Sequence, residues 1–227
     1  MLPISVVIPA KNEAQSIGEV ILGVKRYASE IIVVDGHSTD QTRRIAENLG
    51  AKIILDNKRG KGDAIRCSIQ HLQQAITVFI DADGSHDPED IPRLIQPLLD
   101  DQCDHVGGSR LLGGSSELHG GFDEFFRLTG SSFITACINW KFKVRLSDSQ
   151  NGFRALKTEV LKKLNLQENS TTIEQEMIVR SLQYGFRVSE VPTHEHARKF
   201  GKSHIDLKFA CFAYGWSLLK LMLQSQR

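Results

Sequence analysis

The chain has no cysteine motif, no unbroken apolar run of membrane length and no surplus of charge, and each absence removes a class of protein. Its four cysteines, Cys67, Cys103, Cys137 and Cys211, lie far apart without CxxC or Cys/His spacing. Reduced, buried thiols of a cytoplasmic protein are therefore expected, rather than a zinc site or a disulfide framework. The formal net charge of +1 argues against nucleic acid as a partner, because a binding face for phosphate backbones normally shows in the total. No basic stretch followed by an apolar core opens the chain, so no signal peptide is expected. The longest apolar stretch, residues 209–223, is broken by Gly215, Ser217 and Lys220 and falls short of the roughly 20 residues a spanning helix needs. A Ser/His/Asp or Cys/His nucleophilic arrangement is also missing.

What is present is a globular composition, 41% hydrophobic and 24% charged over 227 residues, which suits one α/β domain with an appended segment. Residues 4–8 form a β-branched run closed by Pro9, and residues 13–27 carry Ile17, Val20, Ile21 and Val24 at helical spacing. Residues 31–34 read as the next strand. A strand, a crossover of helical length and a second strand predict a right-handed parallel βαβ unit. The alternation continues through a helix at 40–49, a strand at 52–55, a helix at 61–72, a strand at 77–80 and a helix from Pro88 towards Leu99. This order predicts an open, doubly wound sheet with its ligand crevice at the carboxyl ends of the strands. Residues 104–108 read as one more strand, and the Gly- and Ser-rich stretch 107–121 as a mobile loop. Beyond it the pattern predicts helices at 122–139 and 173–184, strands at 151–156 and 187–191, and a last helix from about Ile205. In that helix Phe209, Phe212, Ala213, Trp216, Leu219 and Leu223 fall along one side. Core packing is the expected use of that side, with contact to a bilayer or a membrane partner as the alternative.

The polar residues gather where the predicted strands end: Pro9, Lys11, Asn12 and Glu13 after the first, Asp35 to Asp40 after the second, Asp81 and Asp83 after the fourth. Two acids one residue apart at a strand end point to the same side if the chain stays extended, and together suit a divalent cation on diphosphate oxygens. Alternatively they cap the helix after Pro88. Asp35 stands where acids of nucleotide-binding sheets accept from a ribose or base. Ser38, Thr39 and Asp40 read as N-cap residues. Gly60-Lys61-Gly62 opens a helix whose free N–H groups and lysine favour a phosphate, or makes a plain helix-start turn.

Taken in order, these segments resemble the family 2 glycosyltransferases of the GT-A fold, and within them the polyprenol-phosphate (dolichol-phosphate) mannose synthase branch. Residues 7–13, 33–42, 60–64 and 81–88 carry the likeness, and Gly108-Ser109-Arg110, Arg127 with Ser131, residues 148–154, residues 174–177, Val191-Pro192 and residues 198–203 extend it over almost the whole chain. Ser85 stands where related synthases often have a glutamine, and His204 where a lysine is usual.

The resemblance implies a Rossmann-like three-layer α/β fold with a mostly parallel sheet: residues 1–205 as the transferase domain, split into a nucleotide-sugar half (1–110) and an acceptor half (111–205), and 206–227 as an amphipathic helix. It implies a donor site of Pro9, Lys11, Glu13, Asp35, Lys61, Asp81 and Asp83, with Asp81 and Asp83 organising Mg2+ or Mn2+. Arg110, Arg127, Ser131, Arg198 and Ser203 would hold phosphates of acceptor or donor, since guanidinium forks match phosphate oxygens. Asp83, Arg127 and, for a hydroxyl acceptor, Asp148 or Glu176 are the expected catalytic residues. The expected reaction is an inverting transfer of a hexose from a nucleotide-diphosphate sugar (GDP-mannose or a UDP-hexose) to an acceptor such as a polyprenyl phosphate. The chain would then be cytoplasmic, with peripheral membrane contact. A transferase acting on a soluble hydroxyl acceptor is the alternative, and a sugar-nucleotide pyrophosphorylase a more distant one, because residues 9–13 lack its Gly-rich, Arg-Lys phosphate loop.

Overall fold

A computed structural model describes residues 2–116, 122–197 and 207–224. Its frame is a seven-stranded sheet of order β3-β2-β1-β4-β6-β5-β7. The strands are β1 (Leu2–Ala10), β2 (Ala28–Asp35), β3 (Lys52–Leu55), β4 (Ile76–Phe79), β5 (His105–Ser109), β6 (Arg154–Lys157) and β7 (Val188–Pro192). The first four run parallel in the expected doubly wound order. β6 slots between β4 and β5 and is antiparallel to both, while β7 adds parallel to β5. That reversal was not foreseen from hydrophobic periodicity, which marks a strand but not its direction.

Side-chain alternation along the central strands explains the three layers. On β1, Ile4, Val6, Ile8 and Ala10 face one core, where they meet Ile17, Val20, Ile21 and Val24 of α1 (Ile17–Lys25), Ala46 of α2 (Thr42–Asn48) and Ile91, Leu94, Ile95 and Leu98 of α4 (Ile91–Leu99). Val7, with Ile32 and Val34 of β2 and Phe79 of β4, faces the opposite core, made with α3 (Lys61–Ile69), α7 (Thr158–Lys163) and α8 (Ile173–Gln183). These strands are buried on both faces, as parallel strands covered by helices must be. A third, smaller cluster joins α6 (Phe122–Phe142), α8 and α9 (Leu207–Leu223).

Two expectations are corrected. Gly107 and Gly108 belong to β5, as the strand reading of 104–108 has them and the loop reading of 107–121 does not, and Arg110–Gly113 forms the single turn α5. The glycines at 108 and 113 reflect crowding: a Cβ would sit 2.5 Å from Thr193 Oγ1 at position 108 and 2.4 Å from the Thr193 carbonyl oxygen at position 113. Residues 117–121, with Gly120 and Gly121, lie outside the described residues. In α9 the side turned inward carries Leu218 and Leu221, and Trp216, Leu219 and Leu223 are exposed. The helix turns its tryptophan outward, because Ile134 and Ile138 of α6 and Ile178 and Val179 of α8 already supply the core that it covers.

Candidate active site

The sheet brings its chemistry to one edge. Parallel β1, β2, β4, β5 and β7 end there, and β6, being reversed, begins there, so residues 148–152 join the loops that follow the other strands.

The loops after β1 and β2 are laced together. Ser38 Oγ accepts from Asn12 N at 2.9 Å, and Thr39 N donates to Asn12 Oδ1 at 2.8 Å. Ser38 and Thr39 therefore cross-link two loops rather than cap α2; Asp40 alone accepts from Thr42 N, at 2.9 Å, and it also takes Ala14 N. Pro9 lies half-buried within β1, which continues to Ala10; Lys11 is exposed, and the Glu13 carboxylate accepts from Ser16 Oγ at 3.1 Å. Asp35 is fully buried, with Ser38 N at 3.2 Å from its oxygens and Arg43 Nη2 at 2.8 Å. Burial alone raises its carboxyl, but Ser38 and Arg43 outweigh this and hold it below the usual carboxylate range.

Beyond β4 the acids do not cap a helix; Asp87 does, accepting from Glu89 N at 2.9 Å at the 3-10 turn Pro88–Asp90. Asp83 is buried, and its Oδ1 accepts from Ser85 N at 3.0 Å and Ser85 Oγ at 2.7 Å. Asp81 meets the ammonium of Lys61 at 2.5 Å, and the same ammonium lies 2.8 Å from Glu174 Oε1. Burial alone lowers Lys61, but the two carboxylates reverse this and push it up. Asp81, which burial alone would raise, is driven far below the usual range by Lys61 and His86. A side chain at position 152 would displace this ion pair: a Cβ on Gly152 would stand 2.8 Å from Asp81 Oδ2 and 2.9 Å from Lys61 Nζ. His86, almost wholly buried, stacks on Phe153 with centroids 5.2 Å apart.

Arg110 follows β5 directly. Its Nε and Nη2 reach Asp148 Oδ2 and Oδ1 at 2.6 and 3.0 Å, and Nη1 lies 3.5 Å from Glu195 Oε1. Burial alone would raise the Asp148 carboxyl, yet this fork holds it below its ordinary value. Glu190 fixes the same loop by accepting from Ser147 N and Asp148 N. The expected base Glu176 is fully used elsewhere, since it accepts from Gln167 N, Glu168 N and Arg180 Nε. Ser131 sits half-buried on α6, its carbonyl taken by Thr135 Oγ1, which also meets Ser149 Oγ at 2.8 Å. Arg127 lies on α6 with its side chain outside the described residues, as are Arg198 and Ser203 altogether.

Sequence reasoning gave no role to three contributors, although Arg154 and Glu174 lie in segments that carry the family likeness. Glu174 and Glu195 share the cations Lys61 and Arg110. Arg154, fully buried, donates from Nη1 to the Glu174 carbonyl at 2.6 Å and from Nε to the Asn151 carbonyl at 3.2 Å. Burial brings this guanidinium down to about 10 against the pull of Glu174, Asp148 and Asp81. The available signal was an arginine inside a strand pattern and acids beside Ile173, Met177 and Ile178 in a helix; both are expensive to bury without partners. Among the described residues, no three His, Cys, Asp or Glu side chains are already arranged to hold a metal ion.

A doubly wound sheet with one reversed strand, its acids gathered at the carboxyl edge, is the GT-A architecture of sugar-nucleotide-dependent transferases. The profile described as "Glycosyl transferase family 2" matches residues 5–164, and the chain belongs to that family. It is therefore a glycosyltransferase. It is 28% identical over 230 residues to a dolichyl-phosphate hexose transferase of Haloferax volcanii, covering 98% of this chain and 95% of that one. It is also 28% identical over 200 residues to the glycosyltransferase AglJ of the same organism, spanning 87% of this chain but 64% of the relative's length. Among solved structures it resembles glucosyl-3-phosphoglycerate synthase from Mycobacterium tuberculosis, crystallised with Mn2+, UDP and glucosyl-3-phosphoglycerate. That likeness has a TM-score of 0.78 at 23% identity and covers 96% of this chain and 79% of that one.

Proposed function

We propose that the chain is an inverting, divalent-metal-dependent hexosyltransferase that moves a sugar from a nucleotide-diphosphate donor to a polyprenyl phosphate. The observation that carries this reading is the pair of acids after β4: Asp83 is buried, and Lys61 holds Asp81 ionised. Among the described residues Asp81, Asp148, Glu174 and Glu195 stand with the cations Lys61, Arg110 and Arg154, and Asp83 is buried two residues past Asp81. Asp81 and Asp83 supply the hard oxygen ligands that Mg2+ or Mn2+ prefer. When bound, that ion would neutralise charge developing on the departing diphosphate. Lys61 aims Asp81, and Pro9, Lys11, Glu13 and Asp35 line the nucleoside side.

The choice of acceptor is supported by the engagement of four carboxylates of the cluster with cations. Asp81 and Glu174 are bound by Lys61, and Asp148 and Glu195 lie against Arg110. A phosphate monoester, already largely ionised near neutral pH, attacks without a free base, whereas a hydroxyl would need one. In this reading Asp148 positions Arg110, and Arg110, Arg127, Ser131, Arg198 and Ser203 receive the acceptor phosphate. The relative acting on dolichyl phosphate, matched over nearly the whole chain, supports the same class.

Purified protein is to be assayed with labelled UDP-glucose and GDP-mannose, Mn2+, and a polyprenyl phosphate in detergent. Label should enter the lipid, and Asp83→Ala should reduce transfer by about a hundred- to a thousandfold, the scale of losing a principal electrostatic stabiliser, while keeping its fold. Transfer only to a soluble phosphorylated or hydroxyl acceptor would overturn the lipid assignment. Undiminished turnover in Asp83→Ala would overturn the metal role.

A further inference from the structure

Asp35 is the acid expected to accept from a ribose or base, yet it is closed to both. It is fully buried and its two oxygens are taken: Ser38 N lies 3.2 Å from each, and Arg43 Nη2 lies 2.8 Å from Oδ2. What this network holds is the turn that follows β2. Gly36 N donates to the Ala10 carbonyl at 2.8 Å, and a Cβ on Gly36 would stand 3.2 Å from Lys11 Cβ, so the turn is pressed against the loop after β1. The next residue, His37, keeps 33% of its side chain exposed.

His37 has a φ of 60°, a left-handed value that glycine adopts without the penalty of a Cβ. Strain of this kind persists where the surrounding structure enforces it, and it concentrates at ligand sites. Its ring is aimed by the residue directly after β3: Nε2 lies 2.9 Å from the Asp56 carbonyl oxygen and 3.7 Å from Asp56 Oδ1. Both acceptors stand on the Nε2 side. They fix the tautomer that carries its proton there and leave Nδ1 as an acceptor on the other side of the ring. Among the described residues Nδ1 has no hydrogen-bond partner.

The position suits a nucleoside. Strands β4, β1 and β2 are neighbours in the sheet, and adjacent strands lie about 4.8 Å apart, so the end of β2 stands roughly 10 Å from the acids after β4. A diphosphate seated at Asp81 and Asp83 would carry its ribose and base across the end of β1 towards this turn.

We propose that His37 reads the nucleobase of the donor through Nδ1, selecting bases that carry an imide N–H, uracil or guanine, over cytosine and adenine. A fixed acceptor pairs with N3–H of uracil or N1–H of guanine. Cytosine N3 and adenine N1 are acceptors themselves and would oppose Nδ1 lone pair to lone pair, which rejects them as well as failing to attract them. Asp35 then serves from beneath, by holding the turn. This role rests on the nucleotide-diphosphate donor proposed above, and it places base recognition two residues beyond the buried acid.

Glycine is the informative replacement, because it removes the ring and accepts a φ of 60°. His37→Gly should melt close to the parent. In titration calorimetry with UDP, GDP, CDP and ADP, each with Mn2+, the parent should bind UDP or GDP at least about tenfold more tightly than CDP and ADP, the scale of one hydrogen bond set against one mismatch. His37→Gly should shrink that ratio to about twofold by weakening the preferred nucleotide alone. His37→Asn, which tolerates the left-handed backbone and offers a carbonyl acceptor, should recover part of the preference. A parent that does not discriminate among the four would overturn the proposal. So would equal weakening of all four in His37→Gly, the result of a ring that only supports the turn. Failure of every nucleotide to bind with Mn2+ would remove this role together with the donor reading, whereas selective binding that His37→Gly leaves intact would remove this role alone.

Discussion

Lys61 is the residue whose neighbours define the site, since one ammonium satisfies Asp81 and Glu174 from two different elements. Lys61→Met leaves those carboxylates facing each other without their shared cation. The expected cost is about 3 kcal/mol, at the lower end for breaking a buried pair, because both side chains of the Lys61–Asp81 pair retain some solvent contact. Mn2+ should restore more stability to this variant than it adds to the parent in urea titrations; equal increments would show that the ion and Lys61 do not share a site. His105 gives a second test. It is fully buried on β5, its Nδ1 lies 3.0 Å from Ser181 Oγ, and burial, reinforced by Arg154, holds its pKa well below the ordinary value. Near neutral pH both folded and unfolded states are neutral there, so nothing is contributed. As the pH falls through about 6.5 the unfolded chain takes up a proton the folded one refuses, and stability drops by about 1.4 kcal/mol per pH unit. His105→Asn should remove that increment between pH 6.5 and 5; superimposable pH–stability slopes for variant and parent would contradict it.

At the scale of elements, the amino end of α3 shows why Lys61 arrives where it does. Gly60 has a φ of 114°, a region that favours glycine, and Gly62 N donates to the Asn169 carbonyl at 2.8 Å. A Cβ on Gly62 would stand 2.4 Å from the Glu168 carbonyl oxygen, backbone that Glu176 pins in place through the Glu168 amide. Gly62→Ala should therefore push α3 off this segment, costing about 1–3 kcal/mol as overpacking does, and raise KM for the donor more than it lowers kcat. A variant with the parent's midpoint and KM would refute the docking argument. The same element shows what the sequence could disclose. The helix start, the lysine and the flanking glycines were legible because turn and propensity signals are local, as were β1 to β5 and the acids at their ends. The partner Glu174 was not, because the pairing is made across the sheet edge. The reversal of β6 and the outward turn of Trp216 escaped for the same reason: periodicity gives a face, and only the neighbours decide whether that face is covered. Ser38 and Thr39 were misjudged because a cap and a cross-link use the same short polar side chains.

For the molecule as a whole, one sheet carries the site. Asp35, Lys61 and Asp81 come from the segments before Ser109, while Asp148, Glu174 and Glu195 come from those after it, with β6 wedged between β4 and β5. A nucleotide diphosphate with its metal, seated at this edge, would touch loops from both stretches and bind only when they are assembled, so its binding free energy adds to the stability of the entire fold. At a hundredfold excess over Kd the gain is about 2.7 kcal/mol, which for a chain of this size raises Tm by about 5 to 10 °C. UDP and GDP with Mn2+ should therefore separate in a thermal-shift measurement, the true donor nucleotide giving the larger rise. EDTA should abolish that rise, and Asp81→Asn with Asp83→Asn should not support it. The two replacements keep side-chain volume, so a variant that still melts cooperatively but no longer responds to nucleotide and metal isolates the carboxylate charges as the cause. A rise of the same size in that variant, or one insensitive to EDTA, would place the nucleotide away from these acids and detach the proposed chemistry from the edge of the sheet.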